Sequence, residues 1–384
     1  MRNPRRVPYS HVHAHVHTHV HPQAPACPAL LPRRVLVGLL VGVLTAVLAA
    51  CSSSSDYPRA PDQSATGRGI PPREAPEPAP KGLTKADYLH PKGQYFGVAT
   101  FHGPARATTD AATAAAGLHP RILEYYQSWN KSFSPSDFDL SYQQGALPLL
   151  TWEPYGTSRA ADQPQYALKK IASGSFDQYV ITFARQVKAT GRPILLRFAH
   201  EMNGDWYPWA ERNSGNAPGD YVKAWRHIHD LFDAVGATQV IWVWSPNILR
   251  GTNGVQLQPL YPGDQYVDWI GIDGYGTGEK SAREVLQPTV DAVESFSGKP
   301  ILLAETGSSP GPQQAQWTAD LFRWLKSTPN VIGFVWFQHS EDEGGRYDYR
   351  FDIDPRTKAA FREGLDALAL TPWPATDAKI HSHG

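Results

Sequence analysis

The sequence predicts an α/β protein whose catalytic part is a single (β/α)8 barrel, the TIM-barrel architecture. From Tyr95 onward, short apolar runs alternate with helical patterns, which is typical of a parallel sheet with crossover helices. Eight such runs occur, as this barrel requires. Most runs end in polar or aromatic residues, and barrel active sites are built from the C-terminal ends of several strands. Because no Gly-x-Gly-x-x-Gly turn is present, an open doubly wound sheet is the less favoured alternative.

The elements follow in chain order from these patterns. The predicted strands are Tyr95–Phe101, Arg121–Ser128, Leu147–Trp152, Ile194–His200, Val240–Ser245, Trp269–Asp273, Ile301–Glu305 and Val331–Phe337. The clearest predicted helices are Phe176–Thr190, Asp220–Val235, Ser281–Ser297 and Gln313–Ser327.

The first 51 residues have the composition of a leader rather than of a folded domain. An Arg-, Pro- and His-rich stretch precedes Arg33-Arg34 and the apolar run 35–50, which is short for a membrane span and fits a signal peptide. Alternate histidines in 11–21 could bind a metal in extended form, but an unstructured leader is the favoured interpretation. The run ends Leu-Ala-Ala-Cys51, which resembles a bacterial lipobox. That resemblance implies a lipid on Cys51 and an extracytoplasmic protein at the membrane, with a differently cut signal peptide or a simple membrane anchor as alternatives.

Composition also predicts the nature of the remaining segments and excludes some classes of partner. Residues 52–92 are rich in Pro, Ala and Ser and predict a disordered tether, residues 93–372 form the predicted barrel, and residues 373–384 a disordered tail. Lys+Arg and Asp+Glu balance at 36 each, so charge predicts no nucleic-acid partner. The two cysteines predict no internal disulfide, because Cys27 lies in the leader. We expect a monomer.

The stretch 197–209, Arg-Phe-Ala-His-Glu-Met-Asn-Gly-Asp-Trp-Tyr-Pro-Trp, is the most informative part of the chain. It follows a short apolar strand and collects a guanidinium, an imidazole, a carboxylate and an amide, followed by three aromatic residues. Burying such a polar cluster inside a sheet costs free energy, whereas in a cleft at a barrel mouth the same groups can face a ligand. Carboxylates beside indoles indicate a sugar ligand, because a pyranose stacks its apolar face on aromatic rings while its hydroxyls need polar partners.

The same stretch resembles the acid/base segment of glycoside hydrolase family 26, Arg-x-x-His-Glu-Met-Asn-Gly-x-Trp, at the end of the fourth strand. A second glutamate, Glu305, closes the seventh strand, where that family carries its nucleophile. The resemblance implies a retaining glycosidase in which Glu305 attacks the anomeric carbon and Glu201 is the acid/base. It implies no cofactor, and no spacing in the sequence predicts a metal site.

Further substrate-binding residues are implied in part by the resemblance. His200 and Trp336 would line the subsite of the attacked sugar, Trp206 would stack on sugar, and Tyr275 would hydrogen-bond the nucleophile. Arg197 would orient a glutamate or form a structural ion pair. The remaining candidate cleft residues are Asn203, Trp209, His102, Trp152 and Asn247.

The substrate is predicted less sharply than the reaction. The family is best known for endo-β-1,4-mannanases, which makes β-1,4-mannan the first expectation, with β-1,3-1,4-glucan and β-1,3-xylan as alternatives. Many mannanases of the family carry Arg after the tryptophan of the eighth strand, whereas Phe337 follows Trp336 here. This difference weakens the mannan prediction. The competing class is a non-catalytic, surface-tethered polysaccharide-binding protein, which would be expected to lack one of the two glutamates.

Overall fold

The computed structural model describes residues 82–250, 252 and 254–372. The predicted leader, Cys51, most of the predicted tether and the predicted tail lie outside these residues. Within them, eight parallel strands close into a barrel in the order β1 to β8, with β1 paired to β8. The predicted (β/α)8 fold is therefore confirmed.

All eight predicted strands are present, with ends that differ by a few residues. They are β1 Tyr95–Thr100, β2 Ile122–Ser128, β3 Leu147–Glu153, β4 Ile194–Phe198, β5 Val240–Trp244, β6 Trp269–Gly276, β7 Ile301–Ser308 and β8 Val331–Gln338. Strands β6, β7 and β8 run further than predicted, because their last residues continue the pairing at the barrel mouth.

Helices form the outer layer. They are α1 Ala86–Leu89, α2 Arg106–Ala116, α3 Pro135–Gln143, α4 Leu168–Ala172, α5 Asp177–Thr190, α6 Asp220–Val235, α7 Ala282–Glu294, α8 Gln314–Lys326 and α9 Pro355–Asp366. The connection from β5 to β6 departs from the regular pattern, since its described residues contain only the short 3-10 turn Gln258–Leu260. None of the described helices is long and apolar enough to cross a lipid bilayer.

Side chains along each strand point alternately to the helices and to the barrel interior, which gives two buried layers. One side chain in two faces the surrounding helices, as Phe334 does against α8 and α9, and the next faces the barrel interior. The helix-facing layer is largely aromatic and aliphatic. The interior near the C-terminal strand ends is polar and contains Arg197, Glu124 and Asp273, all almost completely buried. This polar layer is where the sequence places the site.

The N-terminal end of the barrel is covered by the short helix α1. Tyr88 is fully buried there, the Leu89 carbonyl accepts a hydrogen bond from the indole of Trp269, and Lys85 forms an ion pair with Asp268. Residues 85–89 therefore pack with the barrel, so the predicted tether boundary at residue 92 lies too late in the chain. The prediction missed this because a single buried tyrosine in a Pro- and Ala-rich segment gives no periodic signal.

Candidate active site

Glu201 is held at the end of β4 by an unusual backbone. Ala199 and Glu201 both have positive φ, 48° and 52°, in the left-handed region that L-residues rarely adopt. Hydrogen bonds hold this conformation from neighbouring elements: Glu201 N donates to the Ser245 carbonyl at 2.7 Å, and the Trp209 indole donates to the His200 carbonyl at 2.6 Å. The strand thus ends in a rigid turn that fixes the direction of the Glu201 side chain.

The carboxyl group of Glu201 is almost buried and has one neutral donor on each oxygen. The Trp206 indole donates to Oε2 at 2.6 Å, and the Asn247 amide donates to Oε1 at 2.5 Å. Burial and the charge of Glu305 raise the pKa of Glu201 to about 7, while the two hydrogen bonds lower the pKa in part. Glu201 therefore holds its proton near neutral pH, as a general acid must.

Asn203 and Gly204 position the two donors of Glu201. Asn203 exchanges two hydrogen bonds with the backbone of Asn247, from Asn203 Nδ2 to the Asn247 carbonyl and from Asn247 N to Asn203 Oδ1. The Trp206 ring lies directly over Gly204, where a Cβ would come within 2.5 Å of the indole. A glycine is required at that position if the indole is to reach the carboxyl group.

Glu305, on β7, has charged and phenolic donors instead. Its Oε1 accepts from Arg197 Nη2 at 2.5 Å and from the Tyr126 hydroxyl at 2.8 Å, and its Oε2 accepts from the Tyr275 hydroxyl at 2.6 Å. Burial raises the pKa of Glu305, but the charge of Arg197 and the hydrogen bonds from Tyr275 and Arg197 outweigh burial and lower the pKa to about 2. Glu305 is therefore ionised at any ordinary pH, as a nucleophile must be.

Arg197 links three carboxyl groups beneath the cleft. Besides Glu305, its guanidinium donates to Asp273 Oδ1 at 2.8 Å and to Glu124 Oε1 at 2.5 Å, and all of these groups are buried. Burial raises the pKa of Asp273 and Glu124, in the case of Glu124 to about 8. Arg197 opposes this effect in both groups, because its positive charge lowers the pKa of each carboxyl group that it contacts. The guanidinium thus joins the interior polar layer to Glu305.

His200 lies beside Glu305. Its Nε2 is 4.0 Å from Glu305 Oε1, and burial together with the charge of Arg197 lowers its pKa, so the ring is neutral. One ligand atom each from His200, Asp273 and Glu305 lie within 4.8 Å of one another, which is close enough to surround a cation. The guanidinium of Arg197 is already bonded to both carboxylates, so it supplies the positive charge there, and we assign no metal to this group.

Two predicted cleft tryptophans, Trp336 and Trp152, lie on the helix side of their strands. Trp336 is fully buried on the helix side of β8, 5.2 Å from the Phe361 ring of α9, and its indole donates to the Tyr349 carbonyl. Trp152 is fully buried against Phe183 of α5. The structure contradicts cleft positions for both, because side chains alternate along a strand and these fall on the helix-facing parity.

Trp209 and His102 also differ from the simple prediction. Trp209 is fully buried beneath Tyr207, with their rings stacked 4.3 Å apart, so it supports the cleft wall without facing the cleft. His102 is exposed on the turn after β1 and its ring contacts that of Phe101 at 4.5 Å. It makes no recorded contact with Glu201 or Glu305.

Strand β2 contributes two site residues that were not predicted. Glu124 and Tyr126 alternate on the interior face of this strand and reach Arg197 and Glu305. The available signal was a carboxylate in the middle of an apolar strand, which is costly unless it is paired. Phe337 was also missed: it lies at the mouth, edge-on to Tyr126 and Tyr275.

Glu153 is a further buried carboxyl group at the C-terminal end of a strand. It is the last residue of β3, only 5% exposed, and accepts a hydrogen bond from the Tyr155 hydroxyl at 2.9 Å. Burial raises its pKa to about 7. Glu153 is therefore another carboxyl group that titrates near neutral pH, and it lies on β3, next to the strand that Glu201 follows.

A family model and several known proteins match this chain. The family model described as "Glycosyl hydrolase family 26" matches residues 111–326, more than half of the chain. The chain is 35% identical over 265 residues to Endoglucanase H of Acetivibrio thermocellus, which covers 65% of this chain and 28% of that protein. It is 28% identical to a mannan endo-1,4-β-mannosidase of Bacillus subtilis, covering 44% of this chain and 42% of that one.

A third relative and two solved structures extend the comparison. The β-1,3-xylanase TXYA of a Vibrio species is 28% identical and covers 52% of this chain and 49% of its own. The chain thus spans less than half of the length of each of these relatives. A Bacteroides ovatus β-mannanase structure has a TM-score of 0.55 at 17% identity, covering 74% of this chain and 91% of its own. A Bacillus subtilis mannanase structure has a TM-score of 0.54 at 18% identity, covering 76% and 94%. At these identities the structures bear on the fold alone.

Proposed function

The chain belongs to glycosyl hydrolase family 26, and from this premise we propose that it hydrolyses a β-linked polysaccharide with retention of anomeric configuration. The observation that carries the proposal is the opposite pKa shift of two glutamates, one after β4 and one on β7: the pKa of Glu201 is raised to about 7 and that of Glu305 is lowered to about 2. An acid and an ionised nucleophile are then available together at mildly acidic to neutral pH.

In the first step, a carboxylate oxygen of Glu305 attacks the anomeric carbon. The glycosidic C–O bond breaks as Glu201 transfers its proton to the departing oxygen, giving a glycosyl ester on Glu305 and a free sugar chain end. Oε2 is the better placed attacking atom, since among the described residues it accepts only from Tyr275 whereas Oε1 accepts from both Arg197 and Tyr126.

In the second step, Glu201 acts as a base. Ester formation removes the negative charge of Glu305, which is one of the two main causes of the raised pKa of Glu201. The pKa of Glu201 therefore falls once the intermediate forms, and the carboxylate can take a proton from water. That water attacks the anomeric carbon, the ester bond to Glu305 breaks, and Glu201 is protonated again.

For the substrate, two candidates rest on different observations. The relative with 35% identity is an endoglucanase, and Phe337 occupies the position after Trp336, which supports a β-glucan. The mannan endo-1,4-β-mannosidases at 28–29% identity support β-1,4-mannan, the first expectation from sequence. β-1,3-Xylan is supported by the Vibrio relative alone among those described above.

A substrate panel tests the proposal. The purified protein is incubated with mixed-linkage β-glucan, β-1,4-mannan and β-1,3-xylan, and reducing ends are measured while NMR follows the anomeric configuration of the first product. We expect release from at least one polymer with the β-anomer formed first. An α-anomer formed first would refute the double displacement, and binding without release would favour the non-catalytic polysaccharide-binding protein.

We also propose that the protein is an extracytoplasmic lipoprotein attached through Cys51, and that it is a monomer. The apolar run ending Leu-Ala-Ala-Cys51 supports the attachment, and a polymeric substrate outside the cell is consistent with it. Expression in a bacterial host should place the full-length protein in the membrane fraction, and Cys51→Ser should release it or block its processing. If Cys51→Ser changed neither the distribution nor the size of the processed protein, the lipid anchor would be refuted.

A further inference from the structure

The C-terminal end of β3 and the loop after it carry two ionisable side chains that the reaction mechanism does not use. Thr151 and Glu153 lie on the interior face of this strand, since side chains two residues apart share a face and Thr151 Oγ1 accepts a hydrogen bond from Arg197 Nε at 2.7 Å. Glu153 therefore points toward the polar interior of the barrel mouth. Arg159 is exposed on the loop that follows β3. Neither Glu153 nor Arg159 has a part in the proton transfer or the nucleophilic attack proposed above.

The loop that carries Arg159 is closed by hydrogen bonds on both sides of that residue. The buried amide of Gln163 donates to the Ser158 carbonyl at 3.0 Å and to the Ala160 carbonyl at 2.8 Å, so it pins the backbone before and after Arg159. Gln163 N also donates to Ser214 Oγ at 2.9 Å, which joins this loop to the loop after β4. A backbone held in this way reduces the conformational entropy that is lost when the side chain binds a ligand.

The positive charge of Arg159 acts on side chains of the cleft. Burial lowers the pKa of Arg159, but Tyr155, Glu153, Tyr207 and Tyr126 together raise it on balance. These four side chains belong to β2, to the end of β3 and to the loop after β4, and the Tyr126 hydroxyl also donates to the proposed nucleophile. The guanidinium therefore lies on the cleft side of its loop, within electrostatic reach of the groups around the reaction centre.

Arg159 has no counter-ion of its own at acidic to neutral pH. No hydrogen bond or ion pair of its side chain occurs within the part of the chain that the structure describes. Burial, with a smaller contribution from the charge of Glu305, raises the pKa of Glu153 to about 7. The hydrogen bond from Tyr155 and the charges of Arg159 and Arg197 oppose that rise only in part. Below this pH the strand end thus presents one positive charge and one protonated carboxyl group.

Both groups are hydrogen-bond donors, and together they match a carboxylate. A guanidinium binds the two oxygens of a carboxylate in a planar, charge-assisted contact. Among the described residues only Oε2 of Glu153 has a hydrogen-bond partner, the Tyr155 hydroxyl, so a proton on Oε1 is available to a ligand. A ligand without negative charge would leave the charge of Arg159 unpaired.

We propose that Arg159 and Glu153 bind the carboxylate of an acidic sugar, so that the preferred substrate is a β-linked polysaccharide that carries uronic acid units among its neutral ones. Arg159 forms the charge-assisted contact, and protonated Glu153 donates from Oε1 to the same carboxylate. The inference rests on the proposed function and deepens it, because it names the class of polysaccharide on which the two glutamates act.

The test uses β-glucan and β-mannan before and after partial oxidation of their primary hydroxyl groups to carboxylates. The measured quantity is the ratio of kcat/KM on the oxidised polymer to kcat/KM on the neutral polymer. Arg159→Gln should lower this ratio about tenfold, because the charge-assisted contact is lost. Arg159→Lys keeps the charge without the planar contact and should lower the ratio less.

The pH dependence of the same ratio tests Glu153, since the titration of Glu201 affects both polymers and cancels. Between about pH 6 and about pH 8 the ratio should fall in the unmodified protein, because ionised Glu153 repels the carboxylate and itself neutralises Arg159. Glu153→Gln keeps a neutral donor at every pH and should abolish this fall. A fall of the same size in Glu153→Gln would overturn the role of Glu153.

Arg185→Gln is the matched control, because it removes an exposed arginine of α5 and changes the net charge equally. It should leave the ratio unchanged, and the variants of both exposed arginines should keep the melting temperature. An unchanged ratio in Arg159→Gln, or an equal fall in Arg185→Gln, would overturn the proposal and leave the proposed function intact.

A binding measurement separates the carboxylate site from catalysis if the unmodified protein hydrolyses neither polymer in either form. Retention is then measured in gels that contain the oxidised polymer, and Arg159→Gln must weaken it more than Arg185→Gln does. Equal retention of these two variants would refute the carboxylate site. Absence of hydrolysis on every polymer, β-1,3-xylan included, would instead refute the proposed function.

Discussion

The two glutamates at the ends of β4 and β7 show how one residue type serves opposite purposes. Both are nearly buried, and burial raises the pKa of each. Glu201 meets only neutral donors, an indole and an amide, so burial prevails and the proton stays. Glu305 meets a guanidinium and two phenols, so charge and hydrogen bonding prevail and the proton leaves. The difference shows that the acid/base assignment is encoded in the neighbours more than in the glutamates.

The largest effect should come from removing either carboxylate. Glu305→Ala and Glu201→Ala should each lower kcat on the order of 10⁵-fold on a natural polymer, because neither step proceeds without them. Sodium azide sharpens the comparison, since a small anion can occupy either space. Glu201→Ala should yield a β-glycosyl azide and Glu305→Ala an α-glycosyl azide, as seen by NMR. The same anomer from both variants would contradict the two roles.

Substitution of Arg197 should have a large effect on stability and on the acid limb of the pH–rate profile, which is the fall of kcat/KM at low pH. Arg197→Met leaves the buried Glu305 without its counter-charge and removes the hydrogen bonds to Glu124 and Asp273, which should cost about 3–5 kcal/mol in unfolding free energy. It also removes the main cause of the low pKa of Glu305, so that pKa rises and the acid limb of kcat/KM moves to higher pH. Denaturant unfolding and a pH–rate profile measure both. Arg197→Lys, which keeps the charge, should move the acid limb less; identical limbs in all three proteins would refute this account.

A smaller effect should appear on the alkaline limb. Activity requires protonated Glu201, so kcat/KM should fall as pH rises through its pKa of about 7. Asn247→Ala and Trp206→Phe each remove a hydrogen bond that favours the ionised form, and each should therefore raise that pKa by about 0.5–1 unit. The alkaline limb should move up by the same amount while the acid limb stays in place. A downward movement would mean that the hydrogen bonds favour the acid form.

The smallest effect on catalysis is expected at Trp336. Trp336→Phe removes packing against α9 and should lower the unfolding free energy by about 1–3 kcal/mol, with kcat/KM within about twofold of the unmodified protein. Phe337→Ala is the matched comparison, because the adjacent side chain faces the mouth; it should lower kcat/KM with little loss of stability. A reversal of this pattern would show that the indole reaches the substrate.

The positions of the eight strands could be predicted from the sequence. Each strand is a mostly apolar run, because its side chains are buried both inside the barrel and against the surrounding helices. The face on which each side chain lies was harder to predict, since Trp152 and Trp336 stand among largely apolar residues whose two faces look alike in the sequence. Trp336 and Trp152 were assigned to the cleft for this reason, one residue away from the interior positions of Phe337 and Glu153. A shift of one residue along a strand exchanges the two faces.

The core of the site was accessible because its residues are adjacent in the chain. Arg197, His200, Glu201, Asn203 and Trp206 lie within ten positions, and the structure brings all of them together with Glu305 and Tyr275. Tyr126 and Glu124 arrive from β2, which no local pattern connects to that stretch. Their contacts with Arg197 and Glu305 form only when the barrel closes, so a local sequence pattern cannot predict them.

The left-handed backbone at Ala199 and Glu201 has a consequence for how this molecule could be improved. Each such residue stores roughly 1–2 kcal/mol that glycine would release, so a search for thermostability would favour glycine at both. At 199 that exchange is open to an engineer. At 201 it would remove the proposed proton donor, so the strained backbone must be kept there for as long as the proposed reaction is kept.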